Sequence, residues 1–417
     1  MKGFGACGVS TVPLRALISD SQNGLSKRSG DHGDELPVLR LADISGGAVD
    51  ESSPRAIRLT EKERAKYELH RGDLLCIRVN GSKGLVGRMV PFTSAHAWAY
   101  CDHFIRLRPA PEKADFRYLA YFLNSAPVRR ILELDMVSSA GQHTVSQGTV
   151  LKLGVPLLPM DRQREVVAEI EKQFSRLDEA VANLQRVKAN LKRHRASTLK
   201  AATDGTLIGD PGKSGWRDAL IGEVGQVISG LTKNPKREAL PRKMPYLRVA
   251  NVYANELRLD QIEYIGVAEK EVEKLLVRRG DLLVVEGNGS PDQIGRVALW
   301  DSSIPDCVHQ NHLIKVRLAA EVAPEWALIW LLSPGGRREI EQVSSSTAGL
   351  HTLSTGKISR LPIPVPPLDE QHRIVAEVDR RLSIVREVEA EVDANLKRAQ
   401  ALRQAVLARA FAGQAPQ

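Results

Sequence analysis

Two stretches of the chain place apolar residues at steps of three, four or seven and charged residues on the other faces, the spacing of long amphipathic helices. One seam runs through Val166, Ile170, Phe174, Leu177, Val181, Leu184 and Leu191. The other runs through Ile374, Val378, Leu382, Val385, Val392, Leu396 and Ala399. Each helix is entered in the same way. A proline-marked extended segment (Pro156 and Pro159; Pro362 to Pro367) cannot continue a helix, and an aspartate then stands at the N-cap position (Asp161, Asp369). The seams are of coiled-coil type and are expected to pack on each other. Lys188 and Arg195 interrupt the first seam and are expected to mark where a partner or solvent replaces the facing helix.

Between the helices the pattern changes to short apolar runs bounded by turn residues. Residues 1 to about 36 read as a short element followed by a loop. Val38 to Ile44 reads as a strand-like run, Leu69 to Val79 as a turn feeding a buried strand, Leu85 to Pro91 as the returning strand of a hairpin, and His103 to Leu107 as another strand. Asp115 to Leu134 reads as helix interrupted near Pro127, and Ser138 to Gly148 as a polar loop.

The second half repeats the first at a fixed distance. Pro364, Asp369 and Gln371 stand 208 residues after Pro156, Asp161 and Gln163. The same offset carries Arg71-Gly72-Asp73-Leu74-Leu75 onto Arg279-Gly280-Asp281-Leu282-Leu283, and Asn80-Gly81-Ser82 onto Asn288-Gly289-Ser290. It also carries Gly87-Arg88 onto Gly295-Arg296, and Ala140-Gly141 with His143-Thr144 onto Ala348-Gly349 with His351-Thr352. Between these anchors the halves differ freely, as expected of two copies of one scaffold reading two different targets. The expected fold class is α+β (mixed α/β). Its expected segments are a first recognition domain over 1–157, a long helix over 158–205, a second recognition domain over 206–366, and a long helix over 367–417.

Composition narrows the function. A content of 42 % hydrophobic and 26 % charged residues in 417 is ordinary for a globular protein with several cores. No apolar run approaches membrane-spanning length, and the N-terminus lacks the apolar core of a signal peptide, so a cytoplasmic protein is expected. A net charge of +9 favours a polyanionic partner. Four cysteines without CxxC spacing fit a reducing compartment. Cys101-Asp102-His103 and Cys307-Val308-His309, with His312 nearby, lack the two clustered ligand pairs of structural zinc, so no metal is expected. Gly212-Lys213-Ser214 has Leu207 where a phosphate-binding loop needs its first glycine.

The segment Leu361-Pro362-Ile363-Pro364-Val365-Pro366-Pro367-Leu368-Asp369-Glu370-Gln371 resembles the specificity subunits of type I restriction–modification systems. The Arg-Gly-Asp-Leu-Leu turns and the Gly-Arg after each Asn-Gly-Ser strengthen the resemblance, which spans nearly the whole chain. The first copy departs from it at Arg162, where Glu370 stands in the second, and lacks the double proline. The resemblance implies two recognition domains related by a pseudo-twofold axis, each reading one part of a split sequence in double-stranded DNA. It implies antiparallel helices acting as a spacer about 60 Å long and as the docking site for two methyltransferase subunits. No cofactor is expected on this chain. S-adenosylmethionine is expected on the methyltransferase subunits, and ATP and Mg on a separate restriction (translocase–nuclease) subunit. No membrane partner is implied.

Several residues are candidates for DNA contact. Asn80, Ser82 and Lys83, with Asn288 and Ser290, lie either in DNA-facing loops or in plain hairpin turns. Arg88 and Arg296 contact phosphate or support their own domain. Arg78, Lys83, Lys233, Lys236 and Arg237 are candidates for choosing bases, because such residues differ between the halves. Arg40 and Arg248 read as structural, and the repetition of His143 and His351 points to scaffold. Asp73 and Asp281 read as tight turns into core strands. Two rival functions remain open: a metal-dependent nuclease using those aspartates, and a coiled-coil scaffold that binds only protein.

Overall fold

Leu74, Leu75, Cys76 and Ile77 are all buried because both faces of their strand are covered. Successive side chains of a strand point to opposite faces. Leu74 and Cys76 therefore enter one core, with helices, while Leu75 and Ile77 enter another, with Leu39, Phe92 and Tyr100. The computed structural model describes residues 10–30, 32–209, 213–288, 293–347 and 350–412. They divide into two units: residues up to Leu184 together with those from Ala394 onward, and residues Gln185 to Asp393.

In the first unit the strand Leu74–Ile77 lies inside a four-stranded antiparallel sheet, in the order Ile18–Asn23, Phe104–Pro109, Leu74–Ile77, Met89–Pro91. The second unit repeats that order with Gly225–Ser229, Leu313–Leu318, Leu282–Val285 and Val297–Leu299. A smaller three-stranded sheet accompanies each. Asp34–Leu39 is its middle strand in the first unit and Lys243–Leu247 in the second.

The first 36 residues are more than a short element and a loop. Thr11–Pro13 pairs with Gly154–Pro156, and Ile18–Asn23 is an edge strand of the central sheet. An edge strand exposes one margin and much of one face to water, so Ser19, Asp20 and Ser21 are compatible with it. Ser138 to Gly148 is likewise no plain loop. Val137–Ser139 and Gln142–Thr144 form a hairpin, and a short helix begins at Gln147. The helical stretch after Asp115 breaks at Asn124-Ser125 into Phe116–Leu123 and Ala126–Leu134. Pro127 occupies the first turn of the second helix, where its missing N–H costs nothing.

Repeated polar residues hold each copy together from within. Gly72 and Gly280 take φ of +97° and +88°, which only glycine adopts easily, and so turn Asp73 and Asp281 inward. Asp73 is 1 % exposed and accepts from Arg108 Nε (2.7 Å) and Nη2 (2.8 Å) and from His70 N (2.8 Å). Asp281 repeats this with Arg317 (2.8 and 2.6 Å) and Arg278 N (2.7 Å). A second buried cation recurs although its type changes. Arg106 donates to the carbonyls of Lys66 and Glu68, and Lys315 donates to those of Lys274 and Leu276.

The long helices span Met160–Thr203 and Leu368–Ala410, 44 and 43 residues. Gln163 and Gln371 explain why a glutamine recurs at their bases. Gln163 accepts from Asp115 N and donates to the Lys113 and Leu158 carbonyls; Gln371 accepts from Ala323 N and donates to the Glu321 and Pro366 carbonyls. Each glutamine thereby pins its helix to its own globular part. Within each unit the helix segments run antiparallel. In the first, Val166 and Ile170 share a core with Leu407 and Phe411, while Asp178 pairs with Arg403. In the second, Leu199 shares a core with Ile374 and Val378, while Lys188 pairs with Asp393 (2.6 Å). Lys188 thus faces a carboxylate of the other helix rather than marking a place where that helix is replaced. The middle of the first helix is only half-buried at Val181, Leu184 and Leu191, whereas Val378, Leu382, Val385 and Val392 of the second are buried.

Candidate nucleic-acid interface

In the first unit the connection from Ile77 to Met89 carries five of the candidate residues and is built by its neighbours. Val79–Asn80 pairs with Gln142–Thr144, so His143 stands opposite Asn80. Asn80 is therefore a strand residue, not a free loop residue, and its Oδ1 accepts from Ser82 N (2.8 Å) to close the turn beyond. That turn lifts Ser82 and Lys83 into solvent, and both are exposed. Lys83 forms no ion pair among the described residues, which leaves its ammonium available to an incoming anion. Arg78 is half-buried. Its Nη1 donates to the Asp102 carbonyl (3.4 Å) and its backbone N–H to that of His103 (2.7 Å), so it ties the connection to a neighbouring turn.

The end of the same connection explains the recurring Gly-Arg. Gly87 has φ +76°, and a Cβ there would lie 2.9 Å from Arg129 Nη1 and from Leu132 Cδ1. Gly295 has φ +63°, and its Cβ would lie 2.7 Å from Ile340 Cγ2. Only glycine satisfies both conditions. Arg88 is exposed, with Nε donating to the Gly84 carbonyl (2.9 Å). Arg129, which the sequence reading passed over, donates to the carbonyls of Val86 (2.5 Å) and Gly84 (3.3 Å). Burial, and then the positive charge of Arg88, push its pKa below the ordinary arginine value. The signal for it was present: the doublet Arg129-Arg130 recurs as Arg337-Arg338 at the same offset of 208.

In the second unit Gly287–Asn288 pairs with Leu350–Thr352, which makes Asn288 a strand residue too. Ser290 lies outside the described residues, as do Gly289, Ala348, Gly349 and Gly212. Arg296 is half-buried with its guanidinium 4.7 Å from the centre of the Tyr253 ring, and Arg258 lies 3.9 Å from the same ring. Tyr253 sits on the hairpin Val252–Leu257, whose counterpart in the first unit, Ile44–Val49, carries Gly46-Gly47 at its tip. This hairpin differs between the copies, so repeat matching could not single it out.

The three candidates on the 233–237 segment separate. Lys236 is exposed, whereas Lys233 pairs with Glu263 (3.1 Å). Arg237 is withdrawn as a base-choosing residue. Its guanidinium meets both oxygens of Glu271 (2.9 and 3.0 Å) and donates to the Thr232 carbonyl. That pairing holds the Glu271 carboxyl below the usual carboxylate range. In the first unit Lys27 meets Glu63 at 3.1 and 3.2 Å, and the Thr60 backbone N–H, then Lys27, hold that carboxyl below the usual range. Arg40 and Arg248 are engaged by Asp43 (2.6 Å) and Glu263 (2.7 Å), in keeping with the structural reading.

The alternative chemistries find little here. Asp73 and Asp281 are occupied by arginines, so a nuclease centre on them would first have to break a buried ion pair in each unit. Cys101, Asp102 and His103 bring their ligating atoms within 4.8 Å of one another, but the Cys101 Sγ to His103 Nδ1 separation of 3.6 Å is also that of a thiol hydrogen bond. His309 is fully buried, with Nδ1 donating to the Leu313 carbonyl, and burial lowers its pKa to about 4. No helix among the described residues is long and apolar enough to cross a membrane.

Comparison with known proteins gives one result. Residues 213–394 match the family described as the type I restriction modification DNA specificity domain. The chain is 41 % identical over 172 residues to the type I restriction enzyme StySPI specificity subunit of Salmonella potsdam, a stretch covering 41 % of this chain and 37 % of that protein. It is 25 % identical to the EcoKI specificity subunit of Escherichia coli K12 over 99 % of this chain and 89 % of that one. In fold it resembles a chain solved in a study of complex assembly and conformational transition of the type I restriction–modification system. That likeness has a TM-score of 0.73 at 17 % identity and covers 98 % of this chain and 99 % of that one. It also resembles the HsdS subunit of Thermoanaerobacter tengcongensis, with a TM-score of 0.51 at 19 % identity and coverage of 99 % and 98 %. The chain thus carries two copies of one framework that differ at exposed hairpins, a type I restriction modification DNA specificity domain over residues 213–394, and a likeness along nearly its whole length to type I restriction enzyme specificity subunits.

Proposed function

We propose that this chain is the non-catalytic subunit that gives a type I restriction–modification enzyme its DNA sequence. Each unit reads one part of a split target, and the bases between the parts go unread. The observation that carries this reading is the duplication itself. Buried pairs such as Asp73–Arg108 and Asp281–Arg317 repeat, while Gly46-Gly47 is replaced by Ala254-Asn255 at the tip of the matching hairpin. A common framework with different exposed loops suits two readers of different bases.

The proposal assigns phosphate and base contacts in the first unit to Ser82, Lys83 and Arg88, and in the second to Arg296 and Lys236. Methyltransferase subunits, two by the symmetry of the duplication, dock on the long helices. Exposed Ile384 and Val388, one turn apart on the second helix, and Val187 on the first offer apolar contacts for such docking. S-adenosylmethionine belongs on those subunits, and ATP and Mg on a restriction subunit. Exchanging residues 1–157 for those of another family member tests the division of labour. The methylated motif should change in one part and keep the other; a change in both parts would contradict it.

A further inference from the structure

The framework arginines of the first unit face carboxylates, Arg108 meeting Asp73 and Arg40 meeting Asp43. Arg88 and Arg129 differ. They form no ion pair among the described residues, and both donate to the same acceptor, the Gly84 carbonyl, at 2.9 and 3.3 Å. Two like charges have therefore been brought together around one neutral oxygen, an arrangement that a shared anion would relieve. Both line a cleft of about 1160 Å3, together with Arg130 and Gly46 and with the carboxylate residues Glu133, Glu171 and Asp178. Arg88 retains N–H donors on both terminal nitrogens, the fork that suits a phosphate. The pair recurs as Arg296 and Arg337, and Arg337 again donates to the neighbouring loop, at the Gly295 carbonyl. The Arg296 Nε is buried without a hydrogen-bond partner.

We propose that Arg88 and Arg129 hold one phosphate of the DNA backbone, and that Arg296 with Arg337 repeats this site in the second unit. The assignment rests on the DNA-reading function proposed above. A contact to phosphate carries no sequence information, so it can recur in both copies while the base-reading hairpins diverge. Arg129 is the fixed member, tied to the loop, and Arg88 the exposed one that closes on the ligand.

The test uses the full chain assembled with its methyltransferase subunit and measures affinity for cognate and unrelated duplexes between 50 and 200 mM salt, conditions suited to counting phosphate contacts. Arg88→Gln should weaken both duplexes by the same factor and lower the slope of log affinity against log salt by about one, so that the loss across that range is about fourfold smaller. Arg88→Lys should restore the slope, and the methylated motif should stay unchanged. Arg129→Gln should lower the slope as Arg88→Gln does. An unchanged slope in Arg88→Gln overturns the site, and an unchanged slope in a folded Arg129→Gln overturns the pair. A loss confined to the cognate duplex makes Arg88 a base reader and overturns the assignment. Weaker assembly at a normal slope would place an acidic partner segment there and overturns it too. If the unaltered complex binds no duplex at all, the DNA-reading function fails first, a result distinct from all of these.

Discussion

Asp281 and His309 show how much a single buried residue contributes to the second unit. Asp281 is 1 % exposed and satisfies Arg317 with both oxygens. Removing one member of such a pair leaves a charge without its counter-ion and costs about 3–5 kcal/mol. Asp281→Asn should therefore lower the unfolding midpoint measurably in a denaturant titration, with the Asp73 unit unaffected. His309 makes stability depend on pH. Its folded pKa is about 4 against an ordinary 6.5, so between those values the unfolded chain binds a proton that the folded chain does not. Stability is then fully present above pH 6.5 and is lost as pH falls toward 4, by about 3 kcal/mol in all. His309→Gln should flatten that part of the stability–pH curve; an equally steep curve in the variant would assign the loss to other groups.

The elements differed in how plainly the sequence announced them. The long helices were legible because about forty residues without Gly or Pro keep one apolar seam, and no strand can use that period. The central strands Leu74–Ile77 and Leu282–Val285 were legible as continuous apolar runs. The strand Ile18–Asn23 was not, because its place is fixed by pairing with Phe104–Pro109, far along the chain, and its own residues are mostly polar. The hairpin Val137–Thr144 was hidden for the same reason: it is stabilised by pairing with Val79–Asn80 rather than by an apolar pattern of its own. At the candidate site, the recurring Gly-Arg pointed to Arg88 and Arg296. The role of Arg237 could not be read, because its counterpart is Lys27, two positions off the common offset, and only the ion pairs with Glu63 and Glu271 reveal the match. On the second long helix, Ile384 and Val388 are 52 % and 38 % exposed and lie one turn apart. Replacing both by aspartate should leave the helix folded and weaken assembly with the methyltransferase subunit at least tenfold in a binding titration, since buried apolar anchors dominate such interfaces.

On the scale of the whole molecule, the duplication unites the observations. Framework residues repeat with their partners: Asp73 and Asp281, Gln163 and Gln371, and Arg106 with its replacement Lys315. Between them the copies differ freely, at the exposed hairpins Ile44–Val49 and Val252–Leu257 among other places. Under the function proposed above, two such copies on one chain give two readings of DNA with an unread interval between them. The direct measurement is a map of methylated bases in cells that express this chain with its methyltransferase subunit. The expected result is a motif in two parts separated by a gap of fixed length and unconstrained sequence. A continuous motif, or methylation without sequence preference, would contradict it.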